Sequence, residues 1–156
     1  MLTKNDPAPE FTSVNQHRQE VSLSQFLGKQ YLVLYFYPED DTPGCTIEAN
    51  EFTALAGEFD AAGAKILGVS ADSCEKHRRF IDKFDLKIDL LADTTLEICK
   101  LYHTWGEQEW NGKKYMGIER ATFIIDKQGM LKEVFYQVKA KGHAQAVLGI
   151  LQEMGD

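Results

Sequence analysis

A continuous apolar segment at residues 31–37 dominates the hydrophobic pattern of the chain. Strands that are covered on both faces of a sheet have such unbroken apolar runs, so we predict a central strand here. Pro38 ends the strand because proline has no N–H group for a sheet hydrogen bond. Similar apolar segments at residues 65–69 and 88–91 predict two further strands of the same sheet.

Segments with apolar residues at helical spacing alternate with these strands. The first follows Cys45 and closes at Gly63, and the second begins at Asp72, which is a typical helix cap. A third helix is predicted over residues 95–102, and a fourth ends in the apolar stripe of residues 147–154. Strands that alternate with helices in this way indicate parallel crossover connections.

Two hairpins are predicted near the ends of the chain. Extended segments at residues 11–14 and 20–23 form the first, and segments at 121–125 and 131–136 form the second around a tight turn. Residues 103–117 are polar, aromatic and glycine-containing, and we interpret them as a loop. The order of elements predicts an α/β protein with a thioredoxin-like fold: a central mixed β-sheet flanked by helices, extended by an N-terminal β-hairpin.

Composition narrows the class of protein. The 156 residues suit one domain, spanning 1–156, and the hydrophobic share of 44% with a charged share of 26% is typical of a soluble globular protein. No apolar run is long enough to cross a membrane, and no apolar signal core begins the chain, so we expect a cytoplasmic protein. A net charge of −7 argues against nucleic acid as a partner.

The three cysteines are used for chemistry or for packing, rather than for a framework of disulfides. Their number is odd, and no two of them have the spacing of a zinc site or of a C-x-x-C redox motif. We therefore expect no metal. Cys45 is the candidate for chemistry, because a Pro/Asp/Gly-rich turn places it at the start of a helix, where unpaired N–H groups favour a thiolate. A buried structural thiol is the alternative.

The residues around Cys45 resemble the active-site motif of the peroxiredoxins, Pro38-x-x-x-Thr42-x-x-Cys45. The strings that are similar to the bacterioferritin-comigratory (PrxQ) branch of that family are FYP at 36–38, TPGCT at 42–46 and Glu48. Further matches lie at residues 68–70, 105–106 and 117–126, so the resemblance covers nearly the whole chain.

The resemblance implies a thiol-dependent peroxidase that reduces hydrogen peroxide and small organic hydroperoxides without metal, haem or flavin. Cys45 corresponds to the peroxidatic cysteine, which attacks the terminal peroxide oxygen and becomes a sulfenic acid. Thr42 corresponds to the threonine that orients thiolate and peroxide, and Pro38 to the proline that shields the sulfur from water. Arg120 corresponds to the arginine that stabilises the thiolate and the developing charge.

Arg120 and Glu48 can each also be interpreted as ordinary surface charges with no role in catalysis. Arg120 precedes an apolar strand, and on its residues alone it is a surface charge at a strand edge. Glu48 lies one helical turn after Cys45 and could hold the Arg120 guanidinium bidentately. A solvent-exposed glutamate in the first turn, favoured by the helix dipole, is the alternative for Glu48.

The sequence departs from the family at the resolving cysteine. Many PrxQ members carry that cysteine at the position of Asn50, and others near the position of Ile81. Cys74 begins a predicted helix and is the remaining candidate, whereas Cys99 is expected to pack in the core. The favoured mechanism is therefore 1-Cys turnover, in which an external thiol such as thioredoxin, glutaredoxin or a small thiol reduces the Cys45 sulfenate.

Two rival functions remain open: a thioredoxin-like disulfide oxidoreductase, and a non-catalytic binding or chaperone module on the same fold. We expect a monomer or a weak homodimer. The histidines, none of which has ligand spacing, are interpreted as surface or satisfied core residues: His17, His77, His103 and His143. The aromatic residues near the long loop could line a pocket wall or dock a reductant, but such residues more often pack a loop against its own domain: Tyr102, Trp105, Trp110 and Tyr115.

Overall fold

A computed structural model of the chain describes residues 1–154. The strands are β1 (Thr12–Val14), β2 (Glu20–Ser22), β3 (Tyr31–Phe36), β4 (Ala64–Ser70), β5 (Asp89–Ala92), β6 (Trp105–Trp110), β7 (Lys113–Ile118), β8 (Ala121–Ile125) and β9 (Leu131–Phe135). The helices are α1 (Pro43–Ala54), α2 (Ala56–Ala61), α3 (Cys74–Phe84), α4 (Glu97–Leu101) and α5 (His143–Met154). None of the described helices is long and apolar enough to cross a membrane.

The central sheet has the strand order β5-β4-β3-β8-β9. β3 pairs in parallel with β4, and β4 with β5, whereas β8 pairs antiparallel with both β3 and β9. The predicted α/β class, with a mixed sheet flanked by helices in a thioredoxin-like arrangement, is confirmed. The N-terminal hairpin is also as predicted, because β1 and β2 pair antiparallel.

β3 is covered on both faces, which explains its unbroken apolar sequence. Val33 and Tyr35 point into the cluster that packs beneath α1, α3 and α5. Leu32 and Leu34 point into the cluster on the opposite face. The ring of Tyr35 stacks on Phe52 of α1 with a centroid distance of 4.6 Å, so β3 and α1 pack directly against each other.

The buried aromatic contacts fix the position of α1. Phe52 is fully buried, and truncation of such a side chain to alanine typically costs about 3–5 kcal/mol.

α1 ends at Ala54, and Leu55 separates it from α2, where one continuous helix to Gly63 was predicted. Gly63 ends the segment with a φ of +77°, a left-handed conformation that glycine adopts without strain.

The interpretation of residues 103–117 as a loop is wrong. These residues form the hairpin β6–β7, whose central residues Asn111 and Gly112 both have positive φ, as a type I′ turn requires. The strands carry exposed polar residues on both faces, so they lack the alternating pattern that marks a half-buried strand. The Asn-Gly pair was the signal that could have identified the hairpin.

Two predicted helix starts are also shifted. The cap of α3 is Ser73, whose side chain accepts a hydrogen bond from the Lys76 N–H. The predicted cap, Asp72, instead accepts a hydrogen bond from the Ser70 hydroxyl. α4 begins at Glu97, two residues later than predicted. The carboxylate of Asp93 accepts the N–H groups of its first turn, an arrangement that depends on a residue outside the predicted helix.

Candidate active site

Cys45 is the third residue of α1 and lies close to the carboxyl end of β3. Thr42 is the N-cap residue with an extended backbone, and Pro43 occupies the first helical position, where its missing N–H has no consequence. Asp41 has a φ of +61°, a left-handed conformation that aspartate tolerates better than most residues. This turn places the thiol inside the protein, because Cys45 is only 1% exposed.

Arg120 reaches this thiol from the connection between β7 and β8. Its Nη2 lies 3.4 Å from the Cys45 Sγ, and its Nη1 donates a 2.7 Å hydrogen bond to Oε1 of Glu48. Since Glu48 lies one helical turn after Cys45, both groups point to the same side of α1. The structure therefore brings Cys45, Glu48 and Arg120 together, and Glu48 is buried rather than exposed.

Burial controls the electrostatics of this group. Desolvation raises the pKa of Glu48 to about 7, and the attraction of Arg120 offsets this only in part. Burial opposes the charge on Arg120, but Glu48 and Cys45 together raise its pKa above the usual arginine range. A fixed cation next to the sulfur stabilises negative charge there.

Gly44 is a site residue whose role is not evident from the sequence. A Cβ atom at this position would lie 2.9 Å from the Arg120 Nη2, closer than real Cβ contacts allow. The glycine therefore makes room for the guanidinium beside Cys45. Its presence in the TPGCT string was the available signal, but the reason for it depends on the Arg120 side chain, which comes from the distant connection between β7 and β8.

Thr42 and Pro38 lie in the same turn without contacting the sulfur through a hydrogen bond. The Thr42 hydroxyl donates to the carbonyl oxygen of Glu39 at 2.8 Å, and the Thr46 N–H donates to the Thr42 carbonyl at 2.8 Å. Pro38 is exposed. Both residues belong to the connection between β3 and α1.

The other two cysteines have different surroundings. Cys74 is the first residue of α3 and is half-buried, whereas Cys99 is fully buried in the core, as expected. Burial, followed by the negative charge of Asp93, raises the pKa of Cys99 far above the usual range. Asn50, at the position of a common resolving cysteine, is exposed.

Among the described residues, Asp40, Asp72 and His77 form a group with the composition of a metal site. Their polar atoms are already occupied by protein partners. His77 Nδ1 lies 2.7 Å from Asp40, and Asp72 accepts the Ser70 hydroxyl and pairs with the Lys76 ammonium at 2.9 Å.

A cavity of about 530 Å³, lined by Tyr31, Glu58 and Lys127 among others, is built from residues outside the Cys45 group.

Comparison with known proteins identifies the family of this chain. Residues 5–134 match the model of the AhpC/TSA family. A Helicobacter pylori protein named "Putative peroxiredoxin bcp" is 48% identical over 141 residues, covering 90% of this chain and 92% of that protein. "Peroxiredoxin Bcp" of Bacillus subtilis is 43% identical over 149 residues, covering 96% of this chain and 94% of that protein.

A solved structure of Xanthomonas campestris Peroxiredoxin Q superposes with a TM-score of 0.87 at 38% identity, covering 94% of this chain and 92% of that chain. The chain belongs to the AhpC/TSA family of peroxiredoxins. This peroxiredoxin is therefore a thiol-dependent peroxidase, which favours peroxide reduction over the two rival functions. The resemblance to the PrxQ branch that residues 36–48 indicated is confirmed.

Proposed function

We propose that this peroxiredoxin reduces hydrogen peroxide and small organic hydroperoxides at Cys45, in a 1-Cys cycle completed by an external thiol. The observation that supports this most directly is the 3.4 Å approach of the Arg120 Nη2 to the Cys45 Sγ. A buried thiol beside a fixed cation has the environment that an activated nucleophile requires.

In the first step the Cys45 thiolate attacks the terminal oxygen of ROOH. The O–O bond breaks, its electron pair leaves with the oxygen bonded to R as RO⁻, and Cys45 takes up the terminal OH group as the sulfenic acid. RO⁻ then takes up a proton and departs as water or an alcohol. Arg120 stabilises the negative charge as it moves from sulfur to the leaving oxygen, and Glu48 holds the guanidinium in place.

Thr42 and Pro38 support this step from the turn. We assign to the Thr42 hydroxyl the orientation of the peroxide, because it lies at the N-cap of α1, two residues before the Gly44 N–H and three before Cys45. Its 2.8 Å bond to the Glu39 carbonyl holds it in the turn before substrate arrives. Pro38 borders the same turn and limits access of water to the sulfur.

Regeneration of Cys45 requires two thiols. The first attacks the sulfenic sulfur, forms a mixed disulfide and releases water, and the second attacks that disulfide and releases Cys45 as a thiol. We assign both thiols to an external reductant of the thioredoxin, glutaredoxin or small-thiol class, because Asn50 replaces one usual partner and Cys99 is buried. The three free cysteines fit a reducing compartment such as the cytoplasm.

The assignment of Cys45 is tested by Cys45→Ser. We expect peroxide consumption to fall to background while the circular dichroism spectrum and thermal unfolding stay close to those of the wild type. Cys99→Ser is the control for removal of a buried thiol and should retain turnover. Peroxide turnover by the folded Cys45→Ser protein would rule out the assignment.

The 1-Cys cycle is tested by non-reducing mass spectrometry after one equivalent of peroxide. We expect a Cys45 sulfenic acid, trapped by a dimedone reagent, and no intramolecular disulfide. Cys74→Ser should give the same product, and size-exclusion chromatography of both forms should show a monomer or a weak homodimer. A Cys45–Cys74 disulfide would replace this proposal with a 2-Cys cycle.

A further inference from the structure

A buried carboxylate–imidazole pair joins the Cys45 turn to helix α3. Asp40 belongs to the turn between β3 and α1, and His77 belongs to the second turn of α3. The side chains of both residues are 0% exposed, and His77 Nδ1 lies 2.7 Å from Asp40 Oδ2. The two residues are separated by 37 positions in the sequence, so this contact ties two distant parts of the chain together.

Both ring nitrogens of His77 face oxygen acceptors. Nδ1 faces the Asp40 carboxylate, and Nε2 lies 2.9 Å from the carbonyl oxygen of Leu91 in β5. A neutral imidazole has one donor and one acceptor nitrogen, and so beside an ionised Asp40 it would place a lone pair against one of these oxygens. An imidazolium satisfies both contacts and carries the charge that the buried Asp40 carboxylate needs.

The remaining polar groups around the pair hold Asp40 in the same position. Asp40 Oδ1 accepts the Tyr37 hydroxyl at 2.6 Å, so both carboxylate oxygens have a partner. The Asp40 N–H donates to Asp72 Oδ2 at 2.8 Å, and Lys76 pairs with Asp72 at 2.9 Å. These groups come from the connection after β3, from the connection between β4 and α3, and from the first turn of α3.

Because Cys45 is buried, the contact between the Cys45 turn and α3 affects turnover. The sulfur reacts with a small peroxide in the closed turn, but a thiol on a protein cannot reach a residue that is 1% exposed. Reduction of the sulfenic acid by a protein thiol therefore requires the turn to open. Resistance to opening comes from the contacts of residues 37–42, and the fully buried Asp40–His77 pair is the one that joins this segment to α3 out of contact with solvent.

We propose that Asp40 and His77 form an imidazolium–carboxylate pair that positions the Cys45 turn and limits how often it opens. They are positioning residues: neither contacts the sulfur, and their effect on turnover rests on the proposed function of Cys45. Strengthening the pair favours the peroxide step, and weakening it favours reduction by an external thiol.

The charge of the pair is tested by ¹⁵N NMR of the His77 imidazole at neutral pH. We expect both ring nitrogens to have the chemical shifts of protonated nitrogen in the wild type. Asp40→Asn, which removes the carboxylate charge, should restore the shifts of a neutral ring. A neutral ring in the wild-type protein would overturn the proposal.

The attachment is tested by amide hydrogen exchange in His77→Gln. The N–H groups of Asp40 and Thr46 report on opening of the turn, because they donate to Asp72 and Thr42 respectively. We expect both to exchange about tenfold faster or more, since hydrogen bonds to charged groups contribute the most. The Leu34 amide, in the central strand, should be unchanged.

Lys83→Ala is the matched control. Lys83 also joins α3 to the turn, through a 2.8 Å ion pair with Asp41, but the side chains are 59% and 42% exposed. Its loss should change exchange at Thr46 by less than about twofold, because exposed ion pairs contribute little. Unchanged exchange at Thr46 in His77→Gln, or equal acceleration at Leu34, would contradict the proposal, and Asp40→Asn provides a second test of the same kind.

Kinetics then separates this inference from the proposed function. In His77→Gln the rate constant for peroxide should fall severalfold, and the rate of reduction of the sulfenic acid by an external thiol should rise. A decrease in both rates would contradict the prediction that weakening the pair slows the peroxide step and speeds reduction. Absence of peroxide turnover in the wild type would contradict the function of Cys45, while the exchange measurements would still decide whether the pair holds the turn.

Discussion

Cys45 and Cys99 are equally buried, at 1% and 0% exposure, yet they have opposite electrostatic surroundings. Cys45 lies in the cluster beneath α1, α3 and α5, and Cys99 lies in the cluster on the other face of the central sheet. The Arg120 guanidinium lies 3.4 Å from the sulfur of Cys45. For Cys99, burial and then the negative charge of the nearby Asp93 carboxylate raise the pKa of the thiol.

The comparison shows that burial alone does not decide whether a thiol is reactive. Burial strengthens the effect of whichever charge lies nearby, because the local dielectric is low. A nearby cation favours negative charge on a buried sulfur, whereas burial followed by a nearby carboxylate favours the protonated thiol. The charge near each sulfur therefore distinguishes the two cysteines, whereas their exposure does not.

The largest effect is expected from removal of the cation. Arg120→Met should lower the second-order rate constant for hydrogen peroxide by about a thousandfold, because a fixed donor to the developing charge is lost. Stopped-flow measurement of peroxide consumption checks this. Arg120→Lys, which keeps the charge but not the two-pronged geometry, should lose less. Equal rates in Arg120→Met and the wild type would remove the distinction between the two cysteines.

Glu48 should give the Cys45 region a pH-dependent stability. Its pKa is raised from 4.5 to about 7, so its contribution is fully present below pH 4.5 and is lost as the pH rises through 7. Glu48→Gln should remove a stability difference on the order of 3 kcal/mol at most, since one pKa unit corresponds to about 1.4 kcal/mol.

Urea unfolding of the wild type and Glu48→Gln between pH 4.5 and pH 8 measures this difference. The stability of the wild type should fall relative to the variant across that range. Glu58→Gln, which changes an exposed glutamate on α2, is the control and should follow the wild type. Parallel curves for Glu48→Gln and the wild type would show that Glu48 does not titrate in this range.

Gly44→Ala should weaken the site without weakening the fold. The new Cβ would meet the Arg120 Nη2 at 2.9 Å and displace the guanidinium from the sulfur, so we expect the peroxide rate constant to fall about tenfold. Gly57→Ala is the matched control, because no atom lies within 4 Å of a Cβ at that helical position. If both variants kept the wild-type rate, close approach of Arg120 would not matter.

The smallest effect is expected on the other face of the sheet. Cys99→Ala should lower the free energy of unfolding by roughly 1 kcal/mol through a small cavity, with the peroxide rate constant unchanged. Cys74→Ala, at a half-buried thiol, should cost less. Urea unfolding and stopped-flow kinetics measure both quantities. A tenfold loss of activity in Cys99→Ala would mean that the two cysteines are coupled through the sheet.

Local patterns predicted much of the fold. The apolar run of β3 and the turn signals around β1–β2 and β8–β9 were sufficient, because burial on both faces and tight turns leave clear marks in the sequence. The hairpin β6–β7 was missed because its strands are exposed on both faces and have no apolar alternation. Only Asn111 and Gly112 marked it, by their preference for positive φ.

The site was predictable only in part. The turn, the helix start and Cys45 were evident from the residues, and the roles of Thr42, Pro38 and Arg120 came from the resemblance. The contact of Glu48 with Arg120 joins residues 72 positions apart, and on the residues alone each had a plausible role at the surface. Gly44 and the Asp40–His77 pair were not predicted as functional, because their partners come from other elements.

The sequence by itself determined that a buried strand and a proline-containing turn place one thiol at the start of a helix. Those features depend on neighbouring residues and their backbone preferences. The tertiary structure decided which charge each buried thiol meets, Arg120 for Cys45 and Asp93 for Cys99. Charge interactions depend on distance and burial, and for Cys45 both are set by the packing of strands and helices that are far apart in the chain.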